Sequence, residues 1–335
     1  MRRLALVACS YAALTVPLAS TAATASSWAD RDIRLVTAHG LMGGDASTFR
    51  PGDPLTAAAL SELVSGLSGK AAAVTADPNA PVTVAALDAA LVRGMSLGVA
   101  AGEFKAAAHL AGLAPPARFG TEAVSRLLGL RTDHARDALE LGPSATATRA
   151  EAAFSAAAIL RWKGWEPQYA KSQAAELDLP VVRGWRQRIL HQAVSLVGYP
   201  YVWGGTSELT QKPFGTEVPG GFDCSGFVWR VYKLAGYAVG TQLAQTVHGR
   251  TTSAMSREVP KSARIGFEDL APADLVFFGP SGPRTRPPRI DHVGVFLGGG
   301  WMIHASSAGV ALAPLRGSWR KRFAWGRRPL AEAGL

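Results

Sequence analysis

Between residues 28 and 162, apolar side chains recur at helical spacing in short blocks separated by polar turns. Ile33 and Val36 mark a first helix after Trp28-Ala29-Asp30, and Leu60, Leu63 and Leu67 mark a second that Thr56 can cap. The turn from Gly43 to Pro54 separates them. Near the end of this half, Leu127-Leu128-Gly129-Leu130 leads through a turn into Thr148-Arg149-Ala150-Glu151, where Thr148 and Glu151 stand at capping-box spacing ahead of another helix. A fainter version of the unit lies around Thr83 to Leu91. Residues 163–184 hold glycine, proline and charge without a sustained period and read as a linker.

From residue 185 the pattern changes. A helix is expected from Trp185 to Val197, ended by Gly198. A second opens at Cys224 with Phe227, Val228, Val231 and Leu234 on one side and a stop at Gly236. Asp274–Phe278, Asp291–Leu297 and Trp301–Ala305 read as strands, the last two joined by Gly298-Gly299-Gly300, a strong hairpin signal. The pattern predicts two domains, α-helical repeats over residues 28–162 and an α+β domain over 185–335.

Residues 1–25 stand apart. Arg2 and Arg3 precede an apolar run from Leu4 to Leu18, and Ala23-Thr24-Ala25 fits an A-x-A cleavage site, so a secretory signal peptide is expected. Leu6-Val7-Ala8-Cys9 resembles a lipoprotein cleavage box but sits too early to follow a full apolar region. No other apolar run is long enough to span a bilayer. The expected location is secreted or wall-associated. The chain holds two cysteines, and removal of Cys9 with the leader leaves Cys224 as a lone thiol that cannot form an intramolecular disulfide. Residues 1–180 carry 16 Lys and Arg against 16 Asp and Glu, and residues 181–335 carry 19 against 9. The basic excess lies in the second half, where an exported protein meets anionic wall polymers or lipid headgroups sooner than nucleic acid.

Chemistry converges on Cys224. Asp223 can cap its helix, which places the thiol in the first turn, where unpaired N–H groups and the helix dipole favour a thiolate. Pairing about the glycine turn puts His292 opposite His304, or opposite Ser306 with His304 diagonal. Either register keeps both imidazoles on one face, and a one-residue slip would separate them. One imidazole can take the thiol proton while the second fixes its tautomer. A catalytic zinc held by Cys224, His292 and His304 is the competing arrangement, although the spacing matches no common zinc motif. Upstream, Tyr199-Pro200-Tyr201-Val202-Trp203-Gly204-Gly205 supplies aromatic side chains and two glycines suited to the wall of a cleft. The 15 residues between Gly205 and Gly221 are expected at its rim. His248 reads as an ordinary surface histidine, and Pro280–Pro288 as a basic, proline-rich loop.

The ordered blocks Pro200-Tyr201-Val202-Trp203-Gly204-Gly205, Phe222-Asp223-Cys224-Ser225-Gly226-Phe227-Val228, His292-Val293-Gly294-Val295-Phe296-Leu297-Gly298 and Ile303-His304-Ala305 resemble the motifs of the NlpC family of papain-like cell-wall cysteine peptidases. The resemblance implies Cys224 as nucleophile, His292 as general base and His304 as the orienting residue. It places Tyr201 beside the thiol, and Asp223 and Ser225 against the substrate peptide, with Trp203 at the cleft wall. It calls for no cofactor or metal. The loop after Gly205 is longer than the family's usual spacing.

The N-terminal units resemble the S-layer-homology module, which comes in threes and binds cell-wall polysaccharide. Only the third unit keeps the T-R-A-E signature; the others read Thr56-Ala57-Ala58-Ala59 and Thr83-Val84-Ala85-Ala86. The combined expectation is an exported hydrolase of peptidoglycan stem peptides, cutting between D-glutamate and a diamino acid by analogy with the family, with anionic wall polysaccharide as a second partner. A wall-anchoring protein without catalysis, and an amidase or acyltransferase on the same scaffold, are the alternatives.

Overall fold

A computed structural model describes residues 27–72, 77–135 and 138–335, so the expected signal peptide lies outside the described residues. Eight helices come first: α1 (Asp30–Ala38), α2 (Ala57–Ser68), α3 (Val84–Gly94), α4 (Gly98–Leu110), α5 (Phe119–Leu127), α6 (Arg149–Leu160), α7 (Glu166–Ala175) and α8 (Gly184–Ser195). A short ribbon follows, β1 (Thr206–Ser207) against β2 (Gly221–Phe222), then α9 (Cys224–Trp229), α10 (Leu243–Thr246) and α11 (Thr252–Arg257). Then come β3 (Leu275–Phe278), β4 (His292–Gly298), β5 (Trp301–Ser306), β6 (Gly309–Pro314), α12 (Gly317–Arg322), β7 (Phe323–Arg327) and a last short helix, α13 (Pro329–Glu332). The last five strands form an antiparallel sheet in the order β6-β5-β4-β3-β7. The helical repeats and the α+β second half thus appear as the periodicity predicts, while β6 and β7 were not visible in it.

The three repeats close on one another through backbone hydrogen bonds. Leu55 N–H donates to Ala147 O (2.8 Å), Ala147 N–H to Val82 O (2.9 Å), and Val82 N–H to Leu55 O (3.0 Å). Each of these residues lies next to a threonine cap or one residue from it. Thr56, Thr83 and Thr148 accept from the N–H groups of Ala59, Ala86 and Glu151, so the faint middle unit is capped like its neighbours. The capping box of the third unit is only half made. The Glu151 carboxylate turns away from the Thr148 N–H to meet Arg131 at 2.5 Å. Arg149 is likewise committed inside the fold, donating to the carbonyls of Phe49 and Met42 (both 2.9 Å) with its guanidinium 4.5 Å above the Phe49 ring.

Among the described residues two large apolar cores divide the chain, with a smaller one on the other face of the sheet around Phe278 and Met302, and the large ones do not divide where composition changes. Residues of α1, α2, α3 and α6 fill the first. The second joins α4, α5, α7 and α8 to α9 and one face of the sheet; Phe104 of α4 meets Trp301 of β5 edge-on at 6.1 Å. Residues 163–184, expected as a linker, therefore include a packed helix whose Ala170 and Ala174 are buried. Alanines spaced four apart give too weak an apolar signal to reveal it.

A buried ionic network sits between the cores. Arg131, fully buried, reaches Glu140 and Glu151, and Arg126 joins Glu140 at 2.8 Å. Arg126 also donates to the carbonyls of Gly198 (2.5 Å) and Ala308 (2.7 Å), which ties the helical segment to the second half. Burial pushes the Asp88 and Glu122 carboxyls up, Asp88 strongly, which favours their neutral forms beside these guanidiniums. Breaking such a network strands charge in the interior. Arg131→Met is expected to lower stability by about 3–5 kcal/mol, read as a reduced urea midpoint; an unchanged midpoint would mean that the network contributes nothing net.

Candidate active site

The site is assembled where α9 begins. Asp223 caps this helix: its Oδ1 accepts from Gly226 N–H at 2.5 Å and from the Ser225 hydroxyl at 3.0 Å. Its Oδ2 accepts from Gly204 N–H at 2.9 Å. Arg250 completes the shell, reaching both carboxylate oxygens at 3.1 Å, Ser225 Oγ at 2.9 Å and the Gly204 carbonyl at 2.8 Å. Asp223 and Ser225, expected to face substrate, are thus first of all tied to one another and to Arg250. Both still line the cavity. Glycine is required twice here. Gly204 has φ +78°, and a Cβ on Gly226 would lie 1.9 Å from the Gly205 carbonyl oxygen.

Cys224, 9% exposed, stands on the wall of a cavity of about 720 Å³ that is also lined by His292, Tyr201, Trp203, Asp223, Ser225 and Arg250. The long loop lies at its rim as expected, contributing Pro213 and Phe214. Trp203 and Phe214 are 72% and 71% exposed there. His304 is buried behind His292, whose Nε2 lies 2.9 Å from His304 Nδ1. Val295 opposite Ile303 and Phe296 opposite Met302 fix the register that sets His304 diagonal to His292. The pair leaves Nδ1 of His292 as the ring nitrogen not engaged by His304. The facing nitrogens also leave no room for a metal ion between the rings, and among the described residues no group of three metal-ligating side chains converges. His248 is exposed and is not among the residues that line the cavity.

Three participants were not visible in the sequence. Thr252, at the start of α11, places its hydroxyl 3.3 Å from the Cys224 sulfur. Arg250 stands two residues before it in a segment without periodic pattern; an arginine beside the cap-forming Thr251 was the only available signal. Trp319 of α12 covers the histidines, its ring centroid 5.0 Å from that of His292 and 4.8 Å from that of His304.

The surroundings of the sulfur oppose the expected thiolate. Burial pushes the Cys224 thiol up; the Thr252 hydroxyl offsets this in part, the Asp223 charge adds to it, and the N–H groups of Val293 and Ser225 pull back. The six residues of α9 supply a helix end too small to outweigh that desolvation. Burial, then His304 and Arg322, hold His292 well below the ordinary imidazole range, and burial pushes His304 down to about 4. Both directions favour the neutral forms of the thiol and the imidazole that line this cavity. Alkylation of Cys224 by iodoacetamide should therefore accelerate about tenfold per pH unit from 7 to 8, since only the thiolate reacts; a plateau already reached at pH 6 would show a preformed ion pair.

Compared with known proteins, residues 198–328 match the model of the NlpC/P60 family and residues 21–58 match the S-layer homology domain. Among curated relatives, the probable peptidoglycan endopeptidase LytE of Bacillus subtilis (strain 168) is 33% identical over 144 residues, covering 42% of this chain and 34% of LytE. The gamma-D-glutamyl-L-lysine dipeptidyl-peptidase of the same organism is 28% identical, covering 39% of this chain and 35% of its own length. The murein DD-endopeptidase MepH of Escherichia coli (strain K12) is 31% identical, covering 44% and 46%. The chain spans between a third and a half of the length of these relatives.

Proposed function

We propose that this chain is an exported cysteine peptidase that hydrolyses an amide bond in peptidoglycan stem peptides. The observation that carries the reading is a buried thiol in the same cavity as an imidazole whose far nitrogen is held by a second imidazole at 2.9 Å. The endopeptidase relatives support the substrate class. Their names include both a D-glutamyl–L-lysine cutter and a DD-endopeptidase; we assign the D-glutamyl–diamino acid bond to this chain by the former.

In this reading His292 Nδ1 removes the thiol proton as Sγ bonds to the scissile carbonyl carbon, with His292 Nε2–H donating to His304. The resulting oxyanion accepts from the Cys224 backbone N–H and from Tyr201. Burial, then charge at Cys224, Asp223 and Asp133, pushes the Tyr201 hydroxyl up, which keeps it a proton donor. Protonated His292 gives its proton to the leaving amine as the C–N bond breaks. Water, deprotonated by the same imidazole, then cleaves the thioester and restores the thiol. The test is digestion of defined muropeptides in the presence of a chelator, with fragments weighed by mass spectrometry. Fragments bearing a new D-glutamyl carboxylate are expected. Exclusive transfer to an added amine would convert the reading to acyl transfer, and loss of activity with the chelator would favour zinc.

The helical repeats are proposed to anchor the enzyme to wall polysaccharide, supported by the S-layer homology match. Arg149 is engaged internally, so other cations must make that contact. Because α4, α5 and α7 belong to the second core, the binding assay is best made with the whole chain, on walls with and without their anionic polymers.

A further inference from the structure

The basic, proline-rich loop after β3 takes no part in the chemistry, yet it is tied down on both sides. Two single turns, Gly282–Arg284 and Pro287–Arg289, shape it. Thr285 and Ile290 are buried, and the Thr285 hydroxyl accepts from Ser281 N–H at 3.0 Å. Ser256 of α11 donates its hydroxyl proton to Pro287 O (3.1 Å), and Gly279 N–H donates to Arg322 O at the end of α12 (3.0 Å). A Cβ on Gly282 would lie 2.5 Å from the Lys321 carbonyl oxygen, so loop and α12 meet backbone to backbone. Residues 280–322 carry seven cationic side chains against one carboxylate, Asp291, which is more than half of the chain's net charge of +10. Ion pairs engage three of the seven: Arg316 with Glu176, Arg320 with Glu268 and Arg322 with Asp291. Arg284, Arg286, Arg289 and Lys321 are exposed and make no ion pair among the described residues.

We infer that this loop and α12 form a docking surface for a linear phosphate polymer of the cell wall, lying along the histidine side of the cleft. The inference goes beyond the peptidase reading and takes from it only the setting of the wall. It gives the catalytic half a polyanion contact of its own, separate from the anchoring proposed for the helical repeats. Ile290 and Asp291, at the end of the loop, line the cavity, and Trp319 of α12 covers the histidines, so a polymer held here runs past the mouth of the cleft. Three of the four unpaired cations are guanidiniums, whose planar fork matches phosphate oxygens two at a time. Each exposed contact is weak alone. Several on a pinned surface engage successive phosphates of one chain with little further ordering. Among the described residues no large apolar side chain is exposed between Val239 and Leu335, so the surface lacks the apolar face with which a protein enters a lipid headgroup layer.

The test uses the full chain and three probes: soluble poly(glycerol phosphate), phosphatidylglycerol vesicles and duplex DNA. Wild-type protein should bind the polymer most tightly, and the polymer should slow amide hydrogen exchange in residues 279–291 and 317–322. A chain carrying Arg284→Gln, Arg286→Gln, Arg289→Gln and Lys321→Gln should lose at least about tenfold in affinity for it, and the slope of log affinity against log salt should become shallower by about 2–3. Cleavage of a soluble muropeptide by this variant should stay within about twofold of wild type, since none of the four side chains lines the cavity. The exchange measurement needs no variant, so a misfolded one would not decide the matter. Unchanged affinity in the variant, or protection confined to the helical repeats, would overturn the surface. Tighter binding of vesicles or DNA across the same residues would overturn the polymer as its partner. Failure of wild-type protein to cut the muropeptide would overturn the peptidase reading alone, with the polymer arms still deciding the surface.

Discussion

Cys224→Ala should reduce release of stem-peptide fragments from purified wall to background, a loss of at least about a thousandfold, because among the described residues Cys224 is the one thiol that could form the proposed thioester. The fold should survive. The sulfur meets the Thr252 hydroxyl and the N–H groups of Val293 and Ser225, weak contacts for a thiol, and replacing it by a hydrogen removes little packing volume. Chromatography of solubilised fragments, together with a thermal melt, measures both quantities. Turnover at the wild-type rate with an intact fold would remove Cys224 from the mechanism and return the chain to a wall-binding role.

His292→Ala should be nearly as severe, lowering kcat on the order of a thousandfold with little change in KM, since in the proposed mechanism the imidazole moves the proton in both halves of the reaction. His304→Phe should cost less, roughly tenfold to a hundredfold, because it removes only the partner that holds the tautomer and ring angle. The two effects should not add: once His292 is gone, His304 has nothing to orient. The sign of the pH dependence follows from the same burial. With the His292 pKa depressed, the base remains unprotonated below the ordinary imidazole range, so the acid limb of kcat should fall below pH 6.5. An acid limb at or above that value, or equal and additive losses at the two histidines, would contradict the base-and-orienter assignment.

Local pattern was sufficient for much of this. The threonine caps, the helix opening at Cys224 and the glycine hairpin depend on interactions within a few residues, and the hairpin restricts His292 and His304 to a shared face whenever the register is even. Four ordered motifs were enough to pick out the segment that matches the NlpC/P60 model.

What lay beyond reach depends on contacts between distant parts of the chain. Whether Cys224 rests as thiol or thiolate is decided by burial and by Thr252, Val293 and Asp223 together, and no helix rule contains the first of these. Arg250 and Trp319 acquire their places from segments that have no periodicity to read. Asp133 enters the cavity because Arg126 and Ser307 tie the helical segment to the far turn of the sheet, some 170 residues along the chain. Sequence alone established the reactive elements, since they are built from neighbours. Tertiary structure decided their protonation and the composition of the cleft, since desolvation and charge pairing are properties of the space the folded chain encloses.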